Sequence, residues 1–240
     1  MQAGCDMLMK QLLKSILRRF QKPVYRLARE LVDFYEYSGY YGNIDLHTMM
    51  TLAERKTLES IVARKKPEVA VEIGSWKGAS TTIIARHSGV VYAIDPFTGA
   101  PDSWEVHSAA RHDVLKVFRN NLRIMGISNV IPIVGKSADV FNVFGRCVDF
   151  VFIDGDHTRP GILADLRWRE KLRFGGVICG HDAETYYSEL PEELRMEVKK
   201  STADYLVDRG LHPGVIYALY TVFHDEHMIE PGTSIWWCQC

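Results

Sequence analysis

Residues 148–182 read VDFVFIDGDHTRPGILADLRWREKLRFGGVICGHD, and this stretch decides the fold. It begins with an apolar run, Val148–Ile153, broken only by Asp149. Such a run is typical of a strand that is buried on both faces, as in a parallel sheet. A second apolar run at 177–179 predicts another strand, and Gly175-Gly176 is expected to end the segment between the two runs.

The segment between the two runs has the pattern of a helix. Charged residues there separate apolar residues at helical spacing, namely Ile162, Leu163, Leu166 and Leu172. Polar groups follow both predicted strands: Asp154-Gly155-Asp156-His157 after the first, and His181-Asp182 after the second. Because ligands bind beyond the carboxyl ends of strands in open α/β sheets, we expect these groups to line one cleft.

The rest of the chain repeats the alternation of strand and helix. Strands are predicted at 68–74, 90–95, 130–135 and 234–238, and helices at 78–88, 109–125, 138–144, 191–209 and 215–223. This order predicts one α/β domain over residues 67–240, with a mostly parallel sheet and helices on both faces. Residues 1–66 are predicted to form a helical extension, with helices at 7–22, 24–37 and 51–66.

The composition is that of a soluble globular protein, with 47% hydrophobic and 25% charged residues and a net charge of −1. This charge does not favour nucleic acid as a partner. Residues 1–66 are basic, however, with 12 Lys and Arg against 7 Asp and Glu, and the amphipathic helix at 7–22 could lie on an anionic membrane. We favour its packing on the domain or on a second subunit, and we expect a homo-oligomer.

The five cysteines are scattered, and none forms a C-x-x-C motif. This usage fits a reducing compartment. No apolar run is long enough to span a bilayer, and the first residues lack the pattern of a secretory signal. The sequence therefore predicts a cytoplasmic protein.

The turn after the predicted strand at 68–74 has the sequence EIGSWKGAST over residues 72–81. Gly74 suits a backbone angle that other residues resist, and Gly78 lets the following helix come close. About twenty residues later the next strand ends at Asp95, where a carboxylate can accept hydrogen bonds from ribose hydroxyls. The expected occupant is a cofactor that carries a nucleoside; the alternative is a structural turn beside a solvated aspartate.

The identity of this cofactor depends on Trp76. The dinucleotide fingerprint G-x-G-x-x-G has glycine at this place, and no G-K-[ST] follows as in a phosphate-binding loop. The indole disfavours a pyrophosphate but leaves room for an amino-acid tail, whose amine Glu72 could hold directly or through water. This favours S-adenosylmethionine, and we expect it to contact Glu72, Gly74, Ser75, Trp76, Gly78, Ser80, Asp95, Pro96, Ser137, Ala138 and Asp154.

Several motifs of this chain resemble class I S-adenosylmethionine-dependent methyltransferases. They are the turn at 72–81, Ala93-Ile94-Asp95-Pro96, Ile153-Asp154-Gly155-Asp156-His157, Gly175-Gly176, Gly180-His181-Asp182, His212-Pro213-Gly214-Val215 and Ile235-Trp236-Trp237. More narrowly, they resemble the branch of metal-dependent sugar and macrolide O-methyltransferases and cephalosporin-hydroxylase-like proteins. The resemblance covers about residues 67–240. It implies a Rossmann-like, mostly parallel seven-stranded sheet with one reversed strand near the C-terminal end.

The resemblance also implies a divalent metal at Asp154, His181 and Asp182. Relatives of the macrolide type carry two acidic residues where this chain has His181-Asp182. Mg²⁺ prefers oxygen ligands, whereas imidazole suits Mn²⁺, Fe or Zn better, so His181 leaves the identity of the metal open. The expected ion is Mg²⁺ or Mn²⁺. The general base in the resembling proteins occupies the position of either Asp156 or His157.

The hypothesis from the sequence is an O-methyltransferase, assisted by a divalent metal, that acts on a sugar or another polyhydroxylated small molecule. An ion held by Asp154 and Asp182 would orient the acceptor hydroxyl and lower its pKa. His157 would take the proton, since imidazole titrates near neutral pH, and Asp156 would orient His157 or act as the base itself.

Other interpretations stay open at this point. One is a nicotinamide-dependent Rossmann oxidoreductase, and another is a non-catalytic subunit that binds a cofactor or docks to membranes. Asp154 could simply cap the next helix, and His181-Asp182 could be a turn. The pair His224 and His227 is expected on the surface.

Overall fold

The computed structural model describes residue 46, residues 48–99 and residues 113–240. The chain divides into two compact units, Met1–Ile44 and Asp45–Cys240, and every described residue belongs to the second. The helices predicted at 7–22 and 24–37 lie outside the described residues. Among the residues that are described, no helix has both the length and the apolar character needed to cross a membrane.

The core of the second unit is one sheet. Its strands are β1 (Val69–Ile73), β2 (Val90–Asp95), β3 (Val130–Val134), β4 (Val148–Ile153), β5 (Leu172–Gly180), β6 (Met228–Ile229) and β7 (Trp236–Gln239). Their order is β3-β2-β1-β4-β5-β7-β6. Strands β1 to β5 pair in parallel, whereas β7 runs antiparallel to β5 and β6. The mostly parallel seven-stranded sheet and its reversed strand are confirmed.

Helices cover both faces of this sheet. Within the described ranges they are α1 (Leu52–Lys65), α2 (Ala79–His87), α3 (Val114–Ile124), α4 (Ser137–Val143), α5 (Arg159–Leu166), α6 (Glu192–Lys200) and α7 (Pro213–Phe223). Ile94 packs in a core cluster with residues of α4, α5 and α7, whereas its neighbour Ala93 packs with α3. Because successive strand residues point to opposite faces, these two clusters lie on opposite sides of the sheet.

The central strand β4 is buried along its whole length, as its sequence predicted. All six side chains from Val148 to Ile153 are buried, including Asp149. Asp149 accepts hydrogen bonds from the Val69 N–H at 2.9 Å and from the Arg173 guanidinium at 3.0 Å. A charge inside the sheet is therefore tolerated because it is both paired and hydrogen-bonded.

The glycine pair before the second strand has a different role from the predicted one. The helix was expected to include Leu172 and to end at Gly175-Gly176, but α5 ends at Leu166, a 3₁₀ turn follows, and β5 begins at Leu172. The register of β4 with β5 shifts between Val148 and Phe150, and Gly175 has φ +73° there. The glycines thus form a bulge inside a strand, where a positive φ and a close approach of backbone are needed.

The region near the end of the sheet differs from the prediction at two more places. Helix α6 ends at Lys200 rather than continuing to 209, and a short bridge between Leu206 and Leu211 follows it. His227, expected on the surface, is only 3% exposed. Its ring lies 5.2 Å from that of Tyr186 and 6.4 Å from that of Trp236. Sequence spacing did not reveal this burial because the covering aromatic residues come from other elements.

Replacing His227 should change how stability depends on pH. Burial lowers the pKa of folded His227 to about 4, whereas an unfolded imidazole titrates at about 6.5. The unfolded chain therefore takes up this proton first, and the folded state loses stability as pH falls from about 6.5 towards 4. Over this window, we expect wild type to lose on the order of 2 kcal/mol more than His227→Leu. Urea unfolding at several pH values measures this difference, and parallel losses in the two proteins would contradict it.

Candidate functional site

The turn between β1 and α2 lies directly against the end of β4. Gly74 has φ +86°, and a Cβ on it would lie 2.0 Å from the carbonyl oxygen of Asp154. Gly78 has φ +94°, and a Cβ there would lie 3.1 Å from the ring of Phe118. Trp76, between them, also has a positive φ of 44°. The two glycines are therefore needed for a tight loop that contacts the strand carrying Asp154.

Glu72 lies inside β1, beneath this loop, and is fully buried. One of its carboxylate oxygens, Oε2, accepts hydrogen bonds from Ser75 Oγ at 2.7 Å and from the Thr81 hydroxyl. The other oxygen, Oε1, has no hydrogen-bond partner among the described residues. Burial raises the pKa of Glu72 to about 7. An unsatisfied buried oxygen of this kind suits a ligand that brings a hydrogen-bond donor or a positive charge.

Asp95 ends β2 and is 7% exposed. Its Oδ2 accepts a hydrogen bond from the Trp76 N–H at 2.8 Å, and its Oδ1 accepts one from the Phe97 N–H. Burial raises the pKa of this carboxyl group, while the backbone hydrogen bonds oppose the rise. Asp95 therefore ties the end of β2 to the glycine loop, and ribose hydroxyls would use the remaining lone pairs of its oxygens.

The other residues expected to contact a cofactor have varied environments. Ser75 and Ser80 are buried in the turn and in α2, and Pro96 is exposed just after β2. Ser137 and Ala138 begin α4 and are half-buried. The hydroxyl of Ser137 donates a hydrogen bond to Asp165, whose pKa is raised to about 7 by burial.

The ends of β4 and β5 bring four of the predicted residues together. His181 Nδ1 lies 3.0 Å from Asp182 Oδ1 and 3.5 Å from Asp154 Oδ1. His157 Nε2 lies 3.2 Å from Asp182 Oδ2 and 3.6 Å from Asp154 Oδ1. One ligand atom from each of Asp154, His181 and Asp182 lies within 4.8 Å of the others. These separations are close to those of donor atoms that share one ion at about 2.1 Å.

Asp182 is the centre of this cluster. Besides His181 and His157, it approaches His212, whose Nδ1 lies 3.6 Å from Asp182 Oδ1. His157, Asp182 and His212 form a second group whose ligand atoms also lie within 4.8 Å of one another. Asp182 has φ +66°, an unfavourable backbone conformation for a residue with a side chain. Backbone conformations of this kind cluster at functional sites, although in this chain they also occur at helix ends such as Lys66 and His224.

The charges in the cluster compensate each other. Burial alone would lower the pKa of His181, but the carboxylates of Asp182 and Asp154 outweigh it and hold this pKa well above its usual value. Burial likewise opposes protonation of His157, yet Asp154, Asp204 and Asp182 raise its pKa. In turn, although burial favours the neutral acid, the charge of His181 keeps the pKa of both Asp154 and Asp182 low.

The structure places Asp156 outside this cluster. Its side chain is exposed, and its Oδ1 accepts a hydrogen bond from the Thr158 N–H at 2.9 Å. A Cβ on Gly161, in the first turn of α5, would lie 2.4 Å from the Asp156 carboxyl carbon. Asp156 therefore supports the start of α5. The carboxylate beside His157 Nδ1 is instead that of Asp204, at 3.5 Å.

Four residues near the cluster were not predicted as site residues. Glu54 Oε2 lies 3.2 Å from His181 Nε2, although off the ideal direction for a hydrogen bond, and the charge of His181 holds the pKa of Glu54 low despite its burial. Glu184 binds His212 twice, at Nδ1 (2.6 Å) and at the backbone N–H (3.1 Å). The other two are His212 itself and Asp204. Of the four, only His212 had a signal in the sequence, the motif His212-Pro213-Gly214.

The contact at Gly74 predicts a large cost for adding one methyl group. Gly74→Ala should reduce the free energy of unfolding by at least about 3 kcal/mol, from a strained φ and a collision with backbone. Gly126→Ala is the matched control, because Gly126 also has a positive φ, +69°, but no atom of the described residues lies within 4 Å of its added Cβ. It should cost about 1 kcal/mol. Denaturant unfolding of both variants checks the difference, and equal losses would show that the contact is unimportant.

Solved structures share this fold at low sequence identity. Cofactor-bound Rv0187 from MTB is 17% identical, with a TM-score of 0.57, over 86% of this chain and 94% of that one. The O-methyltransferase TomG from Streptomyces achromogenes, in complex with SAM, is 16% identical, with a TM-score of 0.55 over 86% of each chain. An O-methyltransferase from Bacillus cereus, in complex with SAH, is 18% identical, with a TM-score of 0.56 over 88% of this chain and 97% of that one.

A family model described as a methyltransferase domain matches residues 71–183. This range contains the glycine loop, Asp95, Asp154, His181 and Asp182, which are the residues that the geometry above brings to one edge of the sheet. Sequence family and fold thus agree with the resemblance seen in the motifs. The chain carries a methyltransferase domain on the class I S-adenosylmethionine-dependent fold, and it is an enzyme of the methyltransferase class.

Proposed function

We propose that this enzyme transfers the methyl group of S-adenosylmethionine to a hydroxyl oxygen of a small molecule, with the help of a divalent cation. One observation carries the proposal: the loop at Gly74 touches the backbone of Asp154. A cofactor on that loop and a cation at Asp154 would be neighbours. A methyl donor and an activated oxygen must meet in this way for in-line transfer.

The residues around the loop fit the cofactor. The free Oε1 of Glu72 is a candidate partner for the amine of its amino-acid tail, and Asp95 for its ribose hydroxyls. The bound cofactor would supply an electrophilic sulfonium methyl group. The chain's own contribution would be to orient that group through two buried carboxylates, Glu72 beneath the loop and Asp95 hydrogen-bonded to Trp76 within it.

The residues at the ends of β4 and β5 fit a divalent cation. Asp154 and Asp182 offer oxygen, and His181 offers its Nδ1 nitrogen. A mixed set of oxygen and nitrogen donors favours Mn²⁺ over Mg²⁺. A cation there would lower the pKa of an acceptor hydroxyl. Because three protein ligands leave coordination positions open, an acceptor with two neighbouring oxygens, such as a sugar, is the proposed substrate class.

His157 is the proposed proton acceptor. Its Nε2 lies beside Asp154 and Asp182, and Asp204 lies 3.5 Å from its Nδ1, where a carboxylate can orient the ring. The negative charges of these carboxylates raise the pKa of His157. If a cation compensated Asp154 and Asp182, the imidazole of His157 would be free to accept a proton. Asp156, directed towards α5, is the weaker candidate.

Two other functions have less support. A nicotinamide cofactor needs close approach of a pyrophosphate to the loop, and Trp76, half-buried with φ +44°, stands where glycine would permit it. A thermal-shift comparison of NAD with S-adenosylmethionine separates these possibilities. Docking to a membrane would depend on residues 7–22, outside the described residues, and liposome sedimentation with and without them tests it.

Removing the Asp95 carboxylate should weaken cofactor binding. Hydrogen bonds to a charged group contribute roughly 1.5–3 kcal/mol each, so Asp95→Ala should bind S-adenosylhomocysteine about 10- to 100-fold more weakly by calorimetry. Asp113→Ala is the control, since Asp113 is an exposed aspartate that caps α3. The cofactor assignment is wrong if Asp95→Ala and wild type bind equally well.

Removing the charge of Asp154 should weaken binding of the cation without weakening binding of the cofactor. Asp154→Asn is expected to lose Mn²⁺ binding, measured by electron paramagnetic resonance, while S-adenosylhomocysteine affinity changes less than about threefold, because one direct ligand is lost and the loop is intact. Asp156→Asn, two residues away and outside the cluster, should keep both affinities. Full turnover by Asp154→Asn with an identified acceptor would refute the role of the cation.

A further inference from the structure

Glu54 joins three distant parts of the chain at one buried carboxylate. It lies in the first turn of α1, before the residues that the family model matches, and is 8% exposed. Its Oε2 accepts hydrogen bonds from the Thr51 N–H at 2.7 Å and the Thr51 hydroxyl at 2.9 Å. Its Oε1 accepts from the Ser234 N–H at 3.1 Å and the Ser234 hydroxyl at 2.9 Å. The start of α1 is thereby fastened to the segment that leads into β7.

The Glu54 carboxylate also faces His181, the first of the two candidate cation ligands that follow β5. Glu54 Oε2 lies 3.2 Å from Nε2 of His181, an imidazole that is 7% exposed. On the opposite side of the ring, Nδ1 faces Asp182 and Asp154, at 3.0 and 3.5 Å. With a cation at Nδ1, the remaining proton of this imidazole would lie on Nε2, the side that faces Glu54. The ring of His181 is therefore held between Glu54 and the cluster.

Through Ser234, Glu54 also supports Asp182, the second candidate cation ligand after β5. The Ser234 hydroxyl donates to Glu54 and accepts a hydrogen bond from the Asp182 N–H at 3.3 Å. The next N–H along the chain, of Ala183, donates to the Ser234 carbonyl oxygen at 3.0 Å. Asp182 is the residue with the strained φ of +66°, so these contacts help to keep it in that conformation.

Helix capping alone does not account for this arrangement. A capping box needs one side-chain acceptor at this position for the Thr51 N–H, and glutamine serves there as well as glutamate. A helix can begin without the contact of Glu54 Oε1 with Ser234. It can also begin without the approach of Glu54 Oε2 to His181, which lies 127 positions later in the sequence.

We infer that Glu54 is a positioning residue for the cation site: its carboxylate orients His181 directly and Asp182 through Ser234. The inference rests on the proposed function, because it presupposes a cation at Asp154, His181 and Asp182. Glu54 is not itself one of the three candidate ligands. In metal sites, carboxylates that hold a ligating imidazole from behind change metal affinity by 10- to 100-fold when they are removed.

The test is Mn²⁺ affinity of the full chain, measured by electron paramagnetic resonance titration. Glu54→Ala should bind Mn²⁺ 10- to 100-fold more weakly than wild type. Glu54→Gln should be intermediate, because its amide oxygen can still accept from His181, and it keeps the test valid if the alanine variant fails to fold. Thr51→Ala is the matched control: it removes the hydroxyl that caps α1, while the Thr51 N–H and both donors of Ser234 still hold the Glu54 carboxylate. It should lower Tm and leave affinity within threefold.

A second readout reports on ligand orientation. The visible absorption of bound Co²⁺ depends on coordination geometry, so its band should shift in Glu54→Ala and remain unchanged in Thr51→Ala. Helix stability alone would move Tm in both variants without changing this spectrum.

Three results would overturn the inference. The Glu54 variants could match wild type in Mn²⁺ affinity and Co²⁺ spectrum, or Thr51→Ala could lose as much affinity as Glu54→Ala. In the third case wild type itself binds no Mn²⁺, which refutes the cation of the proposed function and the inference with it. Only this last result is seen with the wild-type protein. Failure of the proposed cation site can therefore be distinguished from failure of the role inferred for Glu54.

Discussion

The site depends on a row of backbone hydrogen bonds that crosses the sheet at the carboxyl ends of its strands. The Gly74 N–H donates to Ile94 O at 3.0 Å, the Asp154 N–H to Ile73 O at 2.8 Å, and the His181 N–H to Ile153 O at 3.1 Å. Through this row, β2, β1 and β4 each hold the residue that follows the neighbouring strand of the sheet, which is β1, β4 and β5 respectively. The glycine loop, the carboxylate after β4 and the imidazole after β5 are therefore positioned by strand pairing, which is more rigid than a loop would be.

The polar cluster, in contrast, costs free energy of folding. Buried charges cost free energy, and even well-paired ones often contribute little to stability compared with apolar residues of similar size. Here carboxylates and imidazoles collect at one edge of an otherwise apolar sheet, and Asp182 adopts a strained backbone conformation. Core packing alone does not require such a group. Its cost is readily understood if the cluster binds a cation and a hydroxylated substrate, as proposed above.

Much of this could be predicted from the sequence, and the failures share one cause. Apolar runs of strand length located β1, β2, β3 and β4 within a residue or two, because each is built from local side-chain patterns. The proximity of Asp154 to Asp182 was predictable because parallel strands bring their carboxyl ends together. Gly175-Gly176 was misread as a helix end, because a bulge depends on how β5 pairs with β4. Glu54, Glu184 and Asp204 were missed because their partners are distant in sequence.

The sequence by itself determined the fold class and the residues after each strand, since periodicity and glycine placement act over a few neighbouring residues. It also indicated the methyltransferase motifs. Only the tertiary structure decided which side chains act together. It directed Asp156 to α5, buried His227 beneath aromatic rings, and brought Glu54 from α1 to His181. The physical reason is that hydrogen bonds and charges act over a few ångströms in space, and folding, not sequence order, sets those distances.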